Sequence, residues 1–189
     1  VYAAKKAGHT GTLDPMATGL LPVCINKATK LSADLMQGDK EYLVEILFGI
    51  ETDTYDLEGK VVSEKEVPED LKVRVEKYLP EFRGEIDQKP PYYSAVKYKG
   101  RPLYKWARMG KMIDVPPRKV EIKLFEVEKW TKNSLFALIK CSKGTYIRTL
   151  CDDMGKKLGC FAHMNALRRT RSGSFLIDDA LKLDNIESS

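Results

Sequence analysis

The sequence predicts an α+β domain with a mixed, largely antiparallel sheet and flanking helices. Strand-like and helix-like segments interleave without a regular strand–helix–strand repeat, which argues against a doubly wound parallel sheet. Two neighbouring segments, 118–130 and 134–142, have the pattern of consecutive antiparallel strands. The chain has 189 residues, of which 43% are hydrophobic. This length and composition predict one domain, residues 1–189, with a substantial core.

The predicted strands are rich in branched and aromatic residues. In chain order they cover 41–50, 92–98, 118–130, 134–142 and about 161–171. Residues 7–26 are glycine-rich and irregular, and 52–59 is a turn. The strand over 118–130 alternates best, with Val120, Ile122, Leu124 and Val127 between charged neighbours. This alternation is typical of a half-buried strand.

The predicted helices are recognised by apolar spacing and by their ends. They cover 28–37, 68–79, a short basic segment 102–109 that ends at Gly110, and a segment that Thr145 caps and that runs to about Leu158. Pro68 suits a first helical turn. The last helix carries the clearest apolar stripe, formed by Ile147, Leu150, Cys151, Met154 and Leu158. The stripe predicts burial against the sheet.

Several classes of protein are disfavoured. The longest apolar run, 20–25, is interrupted by Pro22 and is too short to span a bilayer, and no signal peptide is visible. The four cysteines form no C-x-x-C pair and accompany only two histidines, so we do not expect a zinc site. Dispersed thiols are typical of a reducing cytoplasm. Nucleotide-binding loops and serine-nucleophile motifs are absent.

The charge distribution favours a polyanionic partner. The net charge is +5, but residues 51–87 carry 6 basic and 12 acidic residues, 88–123 carry 10 and 2, and 140–173 carry 8 and 2. Five aromatic residues lie among the cations between Lys89 and Lys111. Cations can bind phosphates and rings can stack on bases, a combination typical of proteins that bind looped nucleic acid. The alternative is an ordinary solvated surface.

The segment GHTGTLDPMATG, residues 8–19, is the strongest candidate for chemistry. Pro15 disfavours the helical conformation for Asp14 and could fix its carboxylate on a tight loop. The alternative is a turn in which Asp14 only accepts bonds from nearby main-chain N–H groups. His9 could equally be a locally hydrogen-bonded loop residue.

Other candidates have similar alternatives. Arg148 could bind a distant carboxylate or pair with Asp152 one turn further on. Tyr42 and Leu167 could be ordinary core residues. The pair Arg168 and Arg169 could contact phosphates or end a solvated strand.

Five segments, in order, resemble the TruB-type tRNA pseudouridine synthases. They are GHTGTLDPMATGLLPVCINKATK, DKEYLVEILFGIETDTYDLEG, PPYYSAVKYKGRPLYKWARMG, SKGTYIRTLCDDMGKKLGC and AHMNALRRTRSGSF. Together they extend over nearly the whole chain. The resemblance implies the pseudouridine synthase fold and the isomerisation of a uridine in the T-loop of tRNA, at position 55, to pseudouridine, with no metal or cofactor.

The resemblance also implies roles for individual residues. Asp14 would be the nucleophile or base, Arg148 would pair with it, and Tyr42 would stack on the flipped-out base. Leu167 would form an apolar wall, and His9 and Thr10 would contact the T-loop. An RNA-gripping insertion, about 88–115, would close over the RNA with Lys97, Arg101, Lys105 and Arg108. Arg168 and Arg169 would contact the RNA backbone near the pocket.

The resemblance leaves alternatives open. Relative to the family pattern, we expect the N-terminal segment and the C-terminal PUA-type RNA-binding domain to be missing from this chain. A truncated core could be a factor that binds or folds the T-arm without turnover, or a general RNA-binding domain. A guide-RNA-dependent synthase is disfavoured because the long insertion resembles the stand-alone bacterial type. We therefore expect a cytoplasmic monomer that binds tRNA, without guide RNA or membrane.

Overall fold

The structure, a computed structural model, describes residues 3–186. In chain order its strands are β1 (Ala7–His9), β2 (Thr18–Gly19), β3 (Val23–Ile25), β4 (Lys40–Phe48), β5 (Ile50–Thr52), β6 (Val61–Glu64), β7 (Gly84–Gln88), β8 (Lys97–Tyr98), β9 (Arg101–Pro102), β10 (Arg118–Trp130), β11 (Ser134–Cys141), β12 (Ala162–Ser172) and β13 (Phe175–Leu176). The α-helices are α1 (Ser32–Leu35), α2 (Leu71–Tyr78), α3 (Leu103–Ala107), α4 (Ile147–Leu158) and α5 (Leu183–Ile186). Short 3₁₀ helices cover Asn26–Leu31, Leu79–Phe82 and Ile177–Asp179.

A seven-stranded sheet organises the molecule. Its strands lie in the order β13–β12–β4–β11–β10–β7, and β2 pairs with β12 outside this path. Every pair along the path is antiparallel, whereas β2 runs parallel to β12. The predicted mixed, largely antiparallel sheet of an α+β fold is therefore confirmed. The strands β12 and β4, which are distant in sequence, lie side by side near the centre.

The core lies between one face of this sheet and a layer formed by α4, α2 and the 3₁₀ helix Leu79–Phe82. Strand β4 alternates strictly, and the core includes Val44, Ile46 and Phe48 from it. All five residues of the predicted stripe of α4 are buried, which confirms that prediction. Gly155 lets the helix approach β12 closely, because a Cβ at this position would overlap the main chain of Phe161 and Ala162.

Most long elements match the sequence prediction, but several short ones differ. Only Lys97–Tyr98 of the strand predicted over 92–98 is a strand, because most of this segment forms a loop over the start of α4. Thr145 does not cap α4: its hydroxyl donates to the Ser142 carbonyl, and the residue at the cap position is Tyr146. The helix predicted over 28–37 is a 3₁₀ turn followed by α1.

Several short strands were not predicted from the sequence. Among them, β1 pairs with β3, β5 pairs with β6, and the edge strand β7 pairs with the long strand β10. The pairing of β1 with β3 holds the two ends of the glycine-rich segment together.

All four cysteines are free and buried, as expected. Across residues 3–186, no helix has both the length and the apolar character needed to cross a membrane.

Candidate active site

The Asp14 loop, residues 10–22, connects β1 to β3 and contains β2. The Asp14 carbonyl accepts a hydrogen bond from Ala17 N at 2.9 Å, so the main chain forms the tight turn that Pro15 predicts. The Asp14 carboxylate is directed elsewhere: its Oδ1 lies 3.2 Å from Arg148 Nη2. The turn and the ion pair therefore coexist, because they use different atoms of Asp14.

The Arg148 guanidinium lies at the start of α4 and is almost completely buried. Its Nη2 also donates to the Tyr93 carbonyl at 2.7 Å, and its Nη1 donates to the Thr54 carbonyl at 3.4 Å. The alternative pairing with Asp152 is wrong, because Asp152 bonds to Lys156 at 2.8 Å. Contacts with three separate segments fix the guanidinium, so Asp14 faces a cation with little freedom to move.

Asp56 is a second carboxylate partner of Arg148 that the sequence analysis missed. Its Oδ2 lies 3.6 Å from Arg148 Nη1, and its side chain is 5% exposed. The other oxygen, Oδ1, accepts bonds from Thr54 Oγ1 at 2.6 Å and from Glu58 N at 3.2 Å. Tyr55, between Thr54 and Asp56, has a φ of 66°, a left-handed conformation that is uncommon for a bulky residue. The sequence signals for Asp56 were its place in a polar turn and in the second segment that resembles the family.

Burial and neighbouring charges act on the Asp14 carboxyl in opposite directions. Burial has the largest effect and raises its pKa above the ordinary value of 3.8. Arg148 lowers the pKa, whereas the negative charge of Asp56 raises it. The net pKa is raised, so Arg148 offsets the cost of burial only in part.

Tyr42 lies on β4 near the Asp14 loop, and its side chain is buried. Burial raises the pKa of the Tyr42 phenol to about 12, although Arg169 opposes the shift by its charge and by a hydrogen bond. The phenol is therefore protonated at neutral pH. It can donate a hydrogen bond, but it is a poor general base because very little of it is ionised at neutral pH.

Two residues predicted to contact RNA are directed into the protein. The Arg169 side chain is 1% exposed, and its Nε and Nη2 donate to the carbonyls of Leu20 and Gly11. Thr10 is also 1% exposed, and both its N–H and its hydroxyl donate to the Pro22 carbonyl. A direct RNA contact does not fit either position, because local main-chain groups already occupy these donors.

Of the remaining predicted contacts near the loop, two are exposed and one is buried. Arg168 and His9 are exposed. His9 Nδ1 accepts a long hydrogen bond from Gly11 N at 3.4 Å. Leu167 is buried and lines an apolar cavity of about 340 Å³ together with Met16 and Val44. Asp14, Arg148 and Asp56 do not line this cavity. The candidate active site is therefore the ion pair of Asp14 with Arg148, and not the cavity itself.

The four predicted cations of the insertion, Lys97, Arg101, Lys105 and Arg108, are all exposed. Two of them lie over rings: Arg101 Cζ is 5.0 Å from the Trp106 ring centre, and Arg108 Cζ is 5.6 Å from that of Tyr104. The insertion reaches the ion pair through the Tyr93 carbonyl, which accepts from Arg148. In residues 3–186, no group of three or more histidine, cysteine or carboxylate side chains could hold a metal ion.

Comparison with known sequences identifies the family. A family model described as "TruB family pseudouridylate synthase (N terminal domain)" matches residues 1–147, about four-fifths of the chain. The chain belongs to the TruB family. A second model, "tRNA pseudouridylate synthase B C-terminal domain", matches residues 148–189. In this TruB-family chain the boundary at residue 148 is not a structural one, since β12 pairs with β4 in the sheet.

Relatives and solved structures agree with this assignment. The chain is 52% identical over 188 residues to "tRNA pseudouridine synthase B" of Francisella philomiragia, covering 99% of this chain and 62% of that protein. It is 50% identical over 186 residues to the protein of the same name from Syntrophus aciditrophicus, covering 98% and 59%. The chain thus spans about three-fifths of these relatives.

Among solved structures, one titled "Crystal Structure of a Cbf5-Nop10-Gar1 Complex" contains a chain with a TM-score of 0.67 and 34% identity, covering 92% of this chain and 42% of that chain. A second, titled "Structure of H/ACA RNP bound to a substrate RNA containing 2'-deoxyuridine", gives a TM-score of 0.66 and 31% identity, covering 95% and 42%.

Proposed function

We propose that this chain isomerises the uridine at position 55, in the T-loop of tRNA, to pseudouridine. The observation that carries the proposal is the contact between Asp14 and the buried guanidinium of Arg148, in a chain of the TruB family. The relatives named tRNA pseudouridine synthase B support tRNA as the substrate. Free, buried cysteines and a tRNA substrate are consistent with a reaction in the cytoplasm.

The reaction conserves atoms and electrons. The bond between N1 of uracil and C1′ of ribose breaks, the base rotates, and C5 forms a bond to C1′. The proton on C5 is then lost, and N1 carries a proton in the product. Such a reaction needs one group that acts as a nucleophile or a base, and a pocket that holds the detached base. An oxidant and a nucleotide co-substrate are both unnecessary.

Asp14 would supply the reactive oxygen. Its carboxylate could attack C1′, add to C6 of the base, or take the proton on C2′. In each case the ionised form reacts, so the raised pKa of Asp14 predicts an acid limit to activity. Arg148 would hold this carboxylate in one orientation through its bonds to Tyr93 and Thr54. Preorganised orientation of this kind lowers the barrier.

The other residues would shape the pocket. Tyr42 would contact the base as a neutral phenol, and Leu167 would supply an apolar surface. The uridine must leave its stack to reach Asp14, at a cost of a few kcal/mol. Exposed His9 could enter the T-loop, while Arg168 and the four cations of the insertion would bind phosphates.

We further propose that the chain acts as a monomer without guide RNA. The insertion supports action without guide RNA, because it would present its own cations and rings to the RNA. The competing proposal is a T-arm-binding factor without turnover. Both would bind RNA, so only catalysis separates them.

The decisive experiment uses a synthetic, unmodified T-arm stem-loop with tritium on C5 of the target uridine. Isomerisation releases this tritium to water. We expect release with the parent chain, no release with Asp14→Asn, and equal RNA binding by both. Asp39→Asn is the matched control, because Asp39 is an exposed carboxylate paired with Lys123 outside the candidate active site. No release from a folded parent that binds the RNA would reject turnover by this chain and favour the binding factor.

A further inference from the structure

A buried guanidinium joins both ends of the Asp14 loop. Arg169 Nε donates to the Leu20 carbonyl at 2.8 Å, and Arg169 Nη2 donates to the Gly11 carbonyl at 3.2 Å. These carbonyls lie three residues before and six residues after Asp14. A single side chain therefore fixes the distance between the Gly11 and Leu20 carbonyls. The reactive carboxylate of Asp14 lies on the segment between them.

The main chain of Arg169 docks the same loop. Its carbonyl accepts a hydrogen bond from Leu20 N at 2.8 Å, and Arg169 is opposite Gly19 where β2 pairs with β12. Gly19 has a φ of 96°, and a Cβ there would overlap the Arg169 carbonyl. Only glycine permits this approach without strain. The second half of the loop is thus held by main-chain and side-chain atoms of one residue.

The charge of Arg169 is unusual for its location. Its side chain is 1% exposed, and the ion pairs in the described part of the chain involve other cations. A buried cation without a carboxylate partner is costly unless its donors are satisfied. Here the acceptors are loop carbonyls, and Arg169 lies directly opposite Tyr42 where β12 pairs with β4. The guanidinium therefore links the Asp14 loop to Tyr42 across the strand pair β12–β4.

We propose that Arg169 is a positioning residue that sets the Asp14 loop against Tyr42, and that RNA is not its ligand. The proposal rests on the proposed function of Asp14. Arg168, the neighbour of Arg169, is exposed and lies on the opposite face of β12. The two adjacent arginines would therefore have separate roles, one in placing the carboxylate and the other in binding RNA.

The test compares Arg169→Gln, Arg169→Lys and Arg168→Gln in this chain with the T-arm substrate. We expect Arg169→Gln to lower kcat at least 30-fold and to change KM less than threefold. Arg169→Lys keeps the charge but can reach fewer acceptors, so it should lose about threefold to tenfold of kcat. Arg168→Gln should raise KM and leave kcat within twofold.

A second readout is independent of turnover. Amide hydrogen exchange at Thr10, Ala17 and Leu20 should be at least tenfold faster in Arg169→Gln, while the amides of β11 keep the parent rate. Unchanged loop exchange would overturn the proposal, and so would equal acceleration in β11, which would indicate a general loss of stability. A KM effect of Arg169→Gln as large as that of Arg168→Gln would also overturn it. If the parent itself releases no tritium, the proposed function fails, while the exchange data still decide whether Arg169 positions the loop.

Discussion

The ion pair around Arg148 and the insertion at 88–115 both present guanidinium groups, but the two regions hold them by different contacts. Arg148 is buried and reaches two carboxylates and two carbonyls from distant segments. Arg101 and Arg108 are exposed and lie over rings within the insertion itself. The first arrangement fixes one orientation, whereas the second leaves the cations accessible to a partner. Under the proposed function, the two regions would have separate roles, catalytic placement for Arg148 and RNA binding for the exposed cations, although the insertion contacts Arg148 through the Tyr93 carbonyl.

The largest expected effect comes from breaking the buried arrangement. Arg148→Ala should lower kcat by at least about 100-fold, because Asp14 loses the group that orients it. Lys105→Ala, in the exposed region, should mainly raise KM, since it removes one phosphate contact. Single-turnover rates at saturating RNA measure the first effect, and an RNA titration measures the second. Comparable losses of kcat in the two variants would contradict this separation.

A smaller effect should follow from Asp56→Asn. We expect kcat to fall about tenfold, or about 1.4 kcal/mol, because Arg148 loses one partner. The acid limb of the pH–rate profile should also move to lower pH. Asp56 raises the pKa of Asp14, so neutralising Asp56 lets Asp14 ionise at lower pH.

The profile of kcat against pH, measured beside Asp53→Asn, tests this prediction. Asp53 lies on the same turn and accepts from Lys60 N rather than from Arg148. An acid limb that moved upward in Asp56→Asn would show that Asp56 does not act on Asp14 by its charge.

The smallest effect concerns the exposed cations and is electrostatic. Lys105→Gln should reduce the slope of log K against log salt by about 0.7 to 0.9, as expected for one phosphate contact. Lys129→Gln on β10 is the control, because Lys129 is also exposed but lies outside the insertion. Filter binding of the stem-loop across a salt series measures both slopes. Equal slopes for Lys105→Gln and the parent would remove Lys105 from the RNA-binding surface.

The long elements could be predicted from the sequence because their patterns are local. The alternation in β4 and β10 and the stripe on α4 each follow from neighbours within one element. The short strands could not be predicted in this way, since β7 has only one large apolar residue, Ile86, and depends on its pairing with β10. Its partner residues in β10 are 30 to 38 positions away along the chain.

The candidate active site shows the same division. Asp14 and Arg148 lie in distinctive segments, so the resemblance to the family suggested them before their contact was known. Asp56 also lies in a segment that resembles the family, but the resemblance gave it no role, and only the folded chain brings it to Arg148. The burial of Arg169 was equally hidden, because the sequence does not say which of two adjacent arginines faces inward.

The alternation of Arg168 and Arg169 makes β12 sensitive to the length of the chain. Successive residues of a strand face opposite sides, so inserting or deleting one residue earlier in β12 would exchange the two arginines. Arg169 would no longer reach the carbonyls of the Asp14 loop, and Arg168 would face the protein interior in its place. Insertions and deletions in this strand should therefore be tolerated far less than substitutions of its exposed side chains.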